Sequence, residues 1–236
     1  MPSLTTKILR VFLILLLPIV IITAAVSRLV TDQYLSFEYS KASFPPDSFG
    51  FTKQQRFILA STNIHYVRAH LPSDELSKHT VNDVPVYTSR EVSHMADVRA
   101  VFQSLFQVLR GALVLLVSIG LILWQKKERL VLSYALQWGG LLTCGVILLI
   151  AVLASFAWQS WFSAFHFFFF EPGSWLFSYS DTLIRLFPVK FWFDATLTIS
   201  LLGFVGGLLM VLIGRQCRIA VEKPPRRHAW SSMFEY

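Results

Sequence analysis

Charge is scarce in this chain of 236 residues: only 15% of positions are Asp, Glu, Lys or Arg, and the mean hydropathy is +0.55. No ordinary water-soluble domain of that length has this balance, so a freely soluble enzyme or binding module is excluded. Cysteine is scarcer still, at two, with Cys144 inside an apolar run and Cys217 at the edge of another. Neither lies in a polar loop, which excludes a disulfide-stapled cap and an external thiol nucleophile. Paired C-x-x-C, H-E-x-x-H, Walker and dinucleotide-binding glycine patterns are also missing, so no metal or nucleotide cofactor is encoded by motif.

What the chain does have is apolar sequence, at 54% of its residues. Four runs approach or exceed the roughly 20 residues that cross a bilayer. They lie near Val11–Val30, Leu105–Trp124, Tyr134–Trp158 and Phe191–Ile213. The expected organisation is a membrane helix in 1–30, a cap in 31–100, a second span in 101–125, a turn in 126–129 and a third span in 130–160. An aromatic-rich segment in 161–190, a fourth span in 191–214 and a basic tail in 215–236 complete it. The fold class is an all-α membrane protein of four transmembrane helices with a small mixed α/β extracellular cap.

Orientation follows from where lysine and arginine collect. Lys7 and Arg10 precede the first span, Lys126, Lys127 and Arg129 fill the second turn, and Arg215, Arg218, Lys223, Arg226 and Arg227 follow the last span. All three clusters fall on one side if both termini are cytoplasmic. The Arg28–Arg99 stretch, by contrast, has eight basic and eight acidic residues. The net charge of +7 is therefore a topology signal and not a nucleic-acid footprint. A cleavable signal peptide ending near Thr23-Ala24-Ala25-Val26-Ser27 is the rival for the N-terminus, but apolar character continues to Leu29 and Val30.

Within the cap, Leu35, Phe37 and Tyr39 alternate as on a strand, which Val84-Pro85-Val86-Tyr87 could pair. Thr52 with Gln55 opens a helix whose apolar face is Phe57, Ala60, Ile64, Val67 and Leu71, ending at Pro72. Thr88 with Glu91 opens another that should run unbroken into the second span. The cap is too small for a deep core of its own, so it must pack on the membrane helices.

That second capping box puts His94 in the second turn of its helix, sharing a face with Arg90 and Asp97. Either His94 is incidental to a capped helix start, or Asp97 or Glu91 orients the imidazole and tunes it. His166 lies in an aromatic stretch, Phe162–Phe177, that holds eight further aromatic residues around Pro172-Gly173. Interfacial anchoring explains Trp158, Trp161 and Trp192. A turn lining an acyl-chain site explains the phenylalanines better, since they lack a polar handle. Asp181 reads as the N-cap of a short helix with Arg185 as its ion-pair partner. Arg110 lies inside the second span, about 21 Å from Trp124 at a rise of about 1.5 Å per residue. It either snorkels or binds a lipid polar group, with Asp194 a possible partner. His65, His70 and His79 read as cap surface.

At these residues the sequence resembles a known family. Arg90-Glu91-Val92-Ser93-His94-Met95-Ala96-Asp97-Val98, Phe165-His166 with Trp175, and Asp181-Thr182-Leu183-Ile184-Arg185-Leu186-Phe187-Pro188 with Phe191-Trp192 are similar to the DUF1461 integral membrane family. Its characterised members are bacterial lipoprotein intramolecular transacylases. Val92 stands where that family has leucine, a conservative exchange. The resemblance implies that His94 and His166 are catalytic, with Arg90, Glu91, Asp97, Arg110, Tyr87, Trp175, Asp181 and Arg185 supporting the site or binding substrate. It implies a diacylglyceryl lipoprotein substrate and membrane lipid as partners, no cofactor, no metal, no nucleic acid, a monomer, and a bacterial cell-membrane location. Two rivals stand beside it: a metal-dependent membrane hydrolase using His94, Asp97 and His166, and a non-catalytic membrane partner whose cap binds a protein.

Overall fold

The structure, a computed structural model, describes residues 3–72, 74–81 and 83–222. The end of the basic tail, with Lys223, Arg226, Arg227 and His228, lies outside the described residues. Among the described residues, four helices are long and apolar enough to cross a membrane: α1 (Leu4–Leu29), α4 (Ser89–Gln125), α5 (Arg129–Phe156) and α8 (Val189–Glu222). Between them come α2 (Asp32–Ser40), α3 (Lys53–Val67), a two-stranded hairpin of β1 (Thr80–Val81) and β2 (Val84–Pro85), α6 (Trp158–Phe169) and α7 (Thr182–Leu186). The chain is a multi-pass membrane protein.

The closest helix pair in the bundle, α5 with α8, is possible because the contact is made of backbone. A Cβ at Gly140 would meet the Gly207 carbonyl oxygen at 2.5 Å, and one at Gly214 would meet the Ser133 carbonyl at 2.6 Å. Without a solvent-driven hydrophobic effect between spans, such small-residue seams are what give membrane helices their packing energy. α1 lies against α4, α5 and α8, burying Leu13, Leu16 and Leu17, as a span of the bundle does. The opposite faces carry Val114, Leu148, Leu149 and Leu201 exposed, which suits hydrocarbon and not water.

The cap does pack on the membrane helices. Tyr34, Leu35, Leu59, Ala60, Ile64, Tyr66 and Val67 form one cluster with Leu183 and Leu186, and it continues into Leu29 of α1 and Phe191 and Ala195 of α8. Both capping boxes are present, Thr52 with Gln55 and Thr88 with Glu91, and α4 runs unbroken from cap to bundle. The α3 face holds Ala60, Ile64 and Val67 buried, although that helix ends at Val67, with Ala69 at φ 61, rather than at Pro72.

Other expectations are overturned. The Tyr34–Tyr39 segment is helix α2 and not a strand, because Thr31 accepts the Tyr34 N–H and the buried residues are Tyr34, Leu35 and Glu38 at helical spacing. Strand β2 accordingly pairs with its hairpin neighbour β1. The third apolar run forms α5 as far as Phe156, and Ala157 ends it, so that Trp158 at its edge starts α6. Trp158 leaves the α5 axis and packs edge-on against Phe193 of α8, with ring centroids 5.3 Å apart. Asp194 pairs with Lys41 (3.0 Å) and Lys190 (2.9 Å), not with Arg110. Arg110 is exposed.

The short helix α7 is held from several sides. Asp181 precedes it but makes no side-chain cap bond. Arg185 pairs with Asp47 through two bonds of 2.9 and 3.0 Å, and not with Asp181. Burial works against the Asp47 charge, but Arg185 and the Phe49 and Phe51 amides outweigh it and bring its pKa down to about 2. The Arg56 guanidinium donates to the Arg185 and Pro45 carbonyls, and Tyr39 donates to the Leu186 carbonyl at 2.6 Å. Glu91, 1% exposed, accepts from the Leu183 N–H (2.8 Å) through one oxygen. Its other oxygen accepts from the Thr88 N–H (2.8 Å) and hydroxyl (3.0 Å).

Glu91 therefore caps α4 and α7 together, and a capping-box glutamine cannot do the same, having one acceptor oxygen and an NH₂ facing a donor. Glu91→Gln should destabilise the protein by about 1–3 kcal/mol, the cost of a buried donor left unpaired. Thermal melting in detergent, beside Thr88→Ser as a cap-preserving control, checks this. A wild-type melting temperature for the glutamine variant would remove the double cap from the account.

Candidate active site where cap meets bundle

The capping box fixes the first turn of α4, and His94 projects from its second turn beside Glu91 and Met95 on the buried face. The residue is 8% exposed and precedes the apolar Leu105–Trp124 run. Phe170 and Phe177 flank it, at ring-centroid distances of 4.9 and 5.3 Å. Its Nδ1 is buried without a hydrogen-bond partner. Neither Glu91 nor Asp97 bonds to it: Glu91 is occupied by the two caps, and Asp97 is exposed. The expected carboxylate–imidazole pair is thus not formed.

His166 comes from α6, in which no residue is fully buried. Its Nδ1 lies 2.7 Å from the Phe162 carbonyl oxygen one turn earlier. With the Nδ1–H donated there, Nε2 is left as the free basic nitrogen. The ring stacks on Phe162 at 4.0 Å and on Trp175 at 4.7 Å, with Phe165 at 5.4 Å. Phe170 touches it as well, at 5.6 Å, so one phenyl ring lies against both imidazoles. The Trp175 Nε1 is buried and has no hydrogen-bond partner.

This setting keeps both histidines neutral. Burial, then the charge of a protonated His166, drive the His94 pKa down to about 4 against the pull of Asp97. Burial likewise lowers His166, opposed by its bond to Phe162. A cation on either ring disfavours one on the other, so the pair carries at most one proton readily.

Of the remaining expected site residues, Arg90 is beside the pair. Its guanidinium lies 4.9 Å over the Phe177 ring, donates to the Leu176 carbonyl and approaches Asp181 at 3.9 Å. Tyr87 is in the cap core, its hydroxyl accepting from Asn63 at 2.6 Å. Glu91, Asp181 and Arg185 shape the segment carrying Trp175 and Phe177 and do not touch either imidazole. Arg110 is not part of the site. His94, Asp97 and His166 form no metal-ligating group, and none of three or more ligands occurs among the described residues. Phe162 and Phe170 were not singled out from sequence, although their positions four residues before and after His166 put them on its helix face. The Glu38–Lys41–Asp194 cluster, which ties α2 to α8, gave no local signal.

The family model described as lipoprotein intramolecular transacylase Lit matches residues 11–192, a span that includes both histidines. An uncharacterized protein of Aquifex aeolicus (strain VF5) is 31% identical over 210 residues, covering 88% of this chain and 94% of that one. The membrane integral lipoprotein intramolecular transacylase of Bacillus cereus has a similar fold, with TM-score 0.74 at 19% identity over 92% of this chain and 97% of that one. A variant of it carrying a histidine substitution gives a TM-score of 0.66. With more than half its length matched by the family model, the chain belongs to the lipoprotein intramolecular transacylase family of membrane enzymes.

Proposed function

We propose that this enzyme moves the sn-2 acyl chain of a diacylglyceryl lipoprotein onto the α-amino group of its N-terminal cysteine, leaving a lyso-form lipoprotein. The observation that carries the reading is the pair of imidazoles facing one phenyl ring among aromatic side chains, each held neutral and neither bound to a carboxylate. An imidazole that starts neutral is able to accept a proton, which suits the reaction. The substrate amine arrives as an ammonium of pKa about 8, and one neutral histidine removes its proton to solvent. The amine then attacks the ester carbonyl through a ring of about eight atoms, a closure that gains from enforced proximity. One of the two remaining N–H protons passes through a histidine to the departing glycerol oxygen as the C–O bond breaks, and the other stays on the amide. Ester becomes amide, and no external donor, cofactor or metal enters.

Two further features suit this chemistry. The exposed Phe165, Phe167, Phe168 and Phe169 of α6 offer an apolar wall for acyl chains. The unpartnered Trp175 N–H beside His166 is the kind of fixed donor that a tetrahedral oxyanion requires. Both termini are cytoplasmic in this reading and the cap extracellular, on the lipoprotein-bearing side of the bacterial cell membrane.

His94→Ala and His166→Ala should each slow transacylation about 10²–10⁴-fold while leaving folded protein, with the double variant little worse than either single one. Conversion of a diacylglyceryl lipopeptide, followed by mass spectrometry with EDTA present, is the measurement. Wild-type conversion by a folded single variant removes that histidine, and a wild type stopped by EDTA favours the hydrolase. The rate at saturating substrate should fall as pH drops below about 8, where the substrate amine holds its proton, show no further break at the ordinary histidine value of 6.5, and steepen only as pH approaches about 4.

Trp175→Phe keeps the ring and removes the donor. It should lower kcat by about 10²–10³-fold with KM little changed, and an unaltered kcat excludes the indole from oxyanion binding. For topology, cysteines placed at Ser77 and Gly173 in a cysteine-free background should both react with an impermeant reagent from outside, and one at Lys127 should not. Labelling of Ser77 and Gly173 positions from opposite sides would sink the shared-face site.

A further inference from the structure

The last turn of α3 ends in a Schellman arrangement. Ala69, at φ 61, donates its N–H to the Tyr66 carbonyl, and His70 donates to the His65 carbonyl, both at 3.0 Å. This motif places the side chains at the two outer positions next to one another, normally as a hydrophobic contact. Here both are histidine. The His65 and His70 Nδ1 atoms face each other 3.5 Å apart. Two imidazole nitrogens on one tetrahedral zinc, at about 2.0–2.1 Å each, lie about 3.4 Å apart.

The far side of His65 is also arranged. Its Nε2 is 2.9 Å from one Asp32 oxygen, and the other Asp32 oxygen accepts from the Ser61 hydroxyl at 2.7 Å. A carboxylate holding one ring N–H fixes the tautomer and turns the other nitrogen's lone pair outward, the usual support of a ligating histidine. We propose that His65 and His70 form a divalent transition-metal site on the cap, with Asp32 and Ser61 orienting His65. Both rings are open to solvent to some degree, and no third His, Cys, Asp or Glu joins them as a metal-ligating group among the described residues. Water therefore fills the remaining positions, and the site is exchangeable and selective for imidazole-preferring late first-row ions. A bound ion would clamp the end of α3 and hold His65 on its existing bond to Asp32 at the start of α2, stabilising the cap by mass action.

The test uses the full chain in detergent with any purification tag removed. Titration with Zn²⁺ should give one saturable equivalent and a higher melting temperature, and Cu²⁺ should give an electron paramagnetic resonance signal of two nitrogen ligands. His70→Ala, which leaves the Asp32–His65 pair intact, should abolish both, and Asp32→Asn should weaken binding about 10-fold or more. His94→Ala with His166→Ala should leave both unchanged. Binding that survives His70→Ala, or no saturable binding at all, overturns the proposal and leaves a plain imidazole–imidazole contact.

Discussion

The Glu91 carboxylate is the point on which the site's architecture turns. Burying a charge is costly unless its lone pairs are met, and here three donors meet them. Two belong to Thr88, at the start of α4, and the third is the Leu183 amide in the first turn of α7. One side chain thereby fixes where the long helix begins and where the 170–187 segment returns to it. His94 follows Glu91 by three residues, so its height and direction are set by the same cap. Thr182 adds a second tie, its hydroxyl donating to the Val86 carbonyl just ahead of α4. Trp175 and Phe177 reach the histidines because the chain after them is fastened in this way.

The chemistry of the site follows from what surrounds the imidazoles rather than from partners that bind them. In a Ser–His–Asp triad the carboxylate favours the imidazolium. Here phenylalanine takes that place, and burial drives the His94 pKa to about 4. A base whose conjugate acid is poorly tolerated releases a captured proton readily. That property suits a reaction in which one proton must leave for solvent and another must cross from nitrogen to oxygen. Phe162, Phe170, Phe177 and Trp175 thus keep the proposed proton carriers discharged.

Local rules made much of this legible in sequence, and distance hid the rest. The four spans, both capping boxes and the continuity of α4 follow from residues within a few positions of each other. The helix α2 was misread because Leu35, Phe37 and Tyr39 alternate, while the residue that completes its buried helical face is Glu38. A glutamate there looks like a surface residue until Lys41 and Asp194 are brought beside it, and Asp194 lies on another span. Arg185 was assigned to Asp181 because a spacing of four on a helix is the nearest available pair. The structure prefers Asp47, which accepts both guanidinium bonds and two loop amides. The break at Ala157 has no proline or glycine to announce it.

The expected partnership of a carboxylate with a histidine does occur in this protein, but at Asp32 and His65 rather than at His94. The contrast shows what decides a histidine's role. His65 sits at a half-exposed helix end, where a charged neighbour is cheap to hold and the ring's second nitrogen faces another imidazole. His94 sits where Glu91 is already committed to two helix starts and Asp97 points to solvent, so no carboxylate is free to reach it. Helical spacing alone offered Glu91 and Asp97 to His94 equally. The caps removed one and exposure the other, and an imidazole enclosed by aromatic rings is what remained.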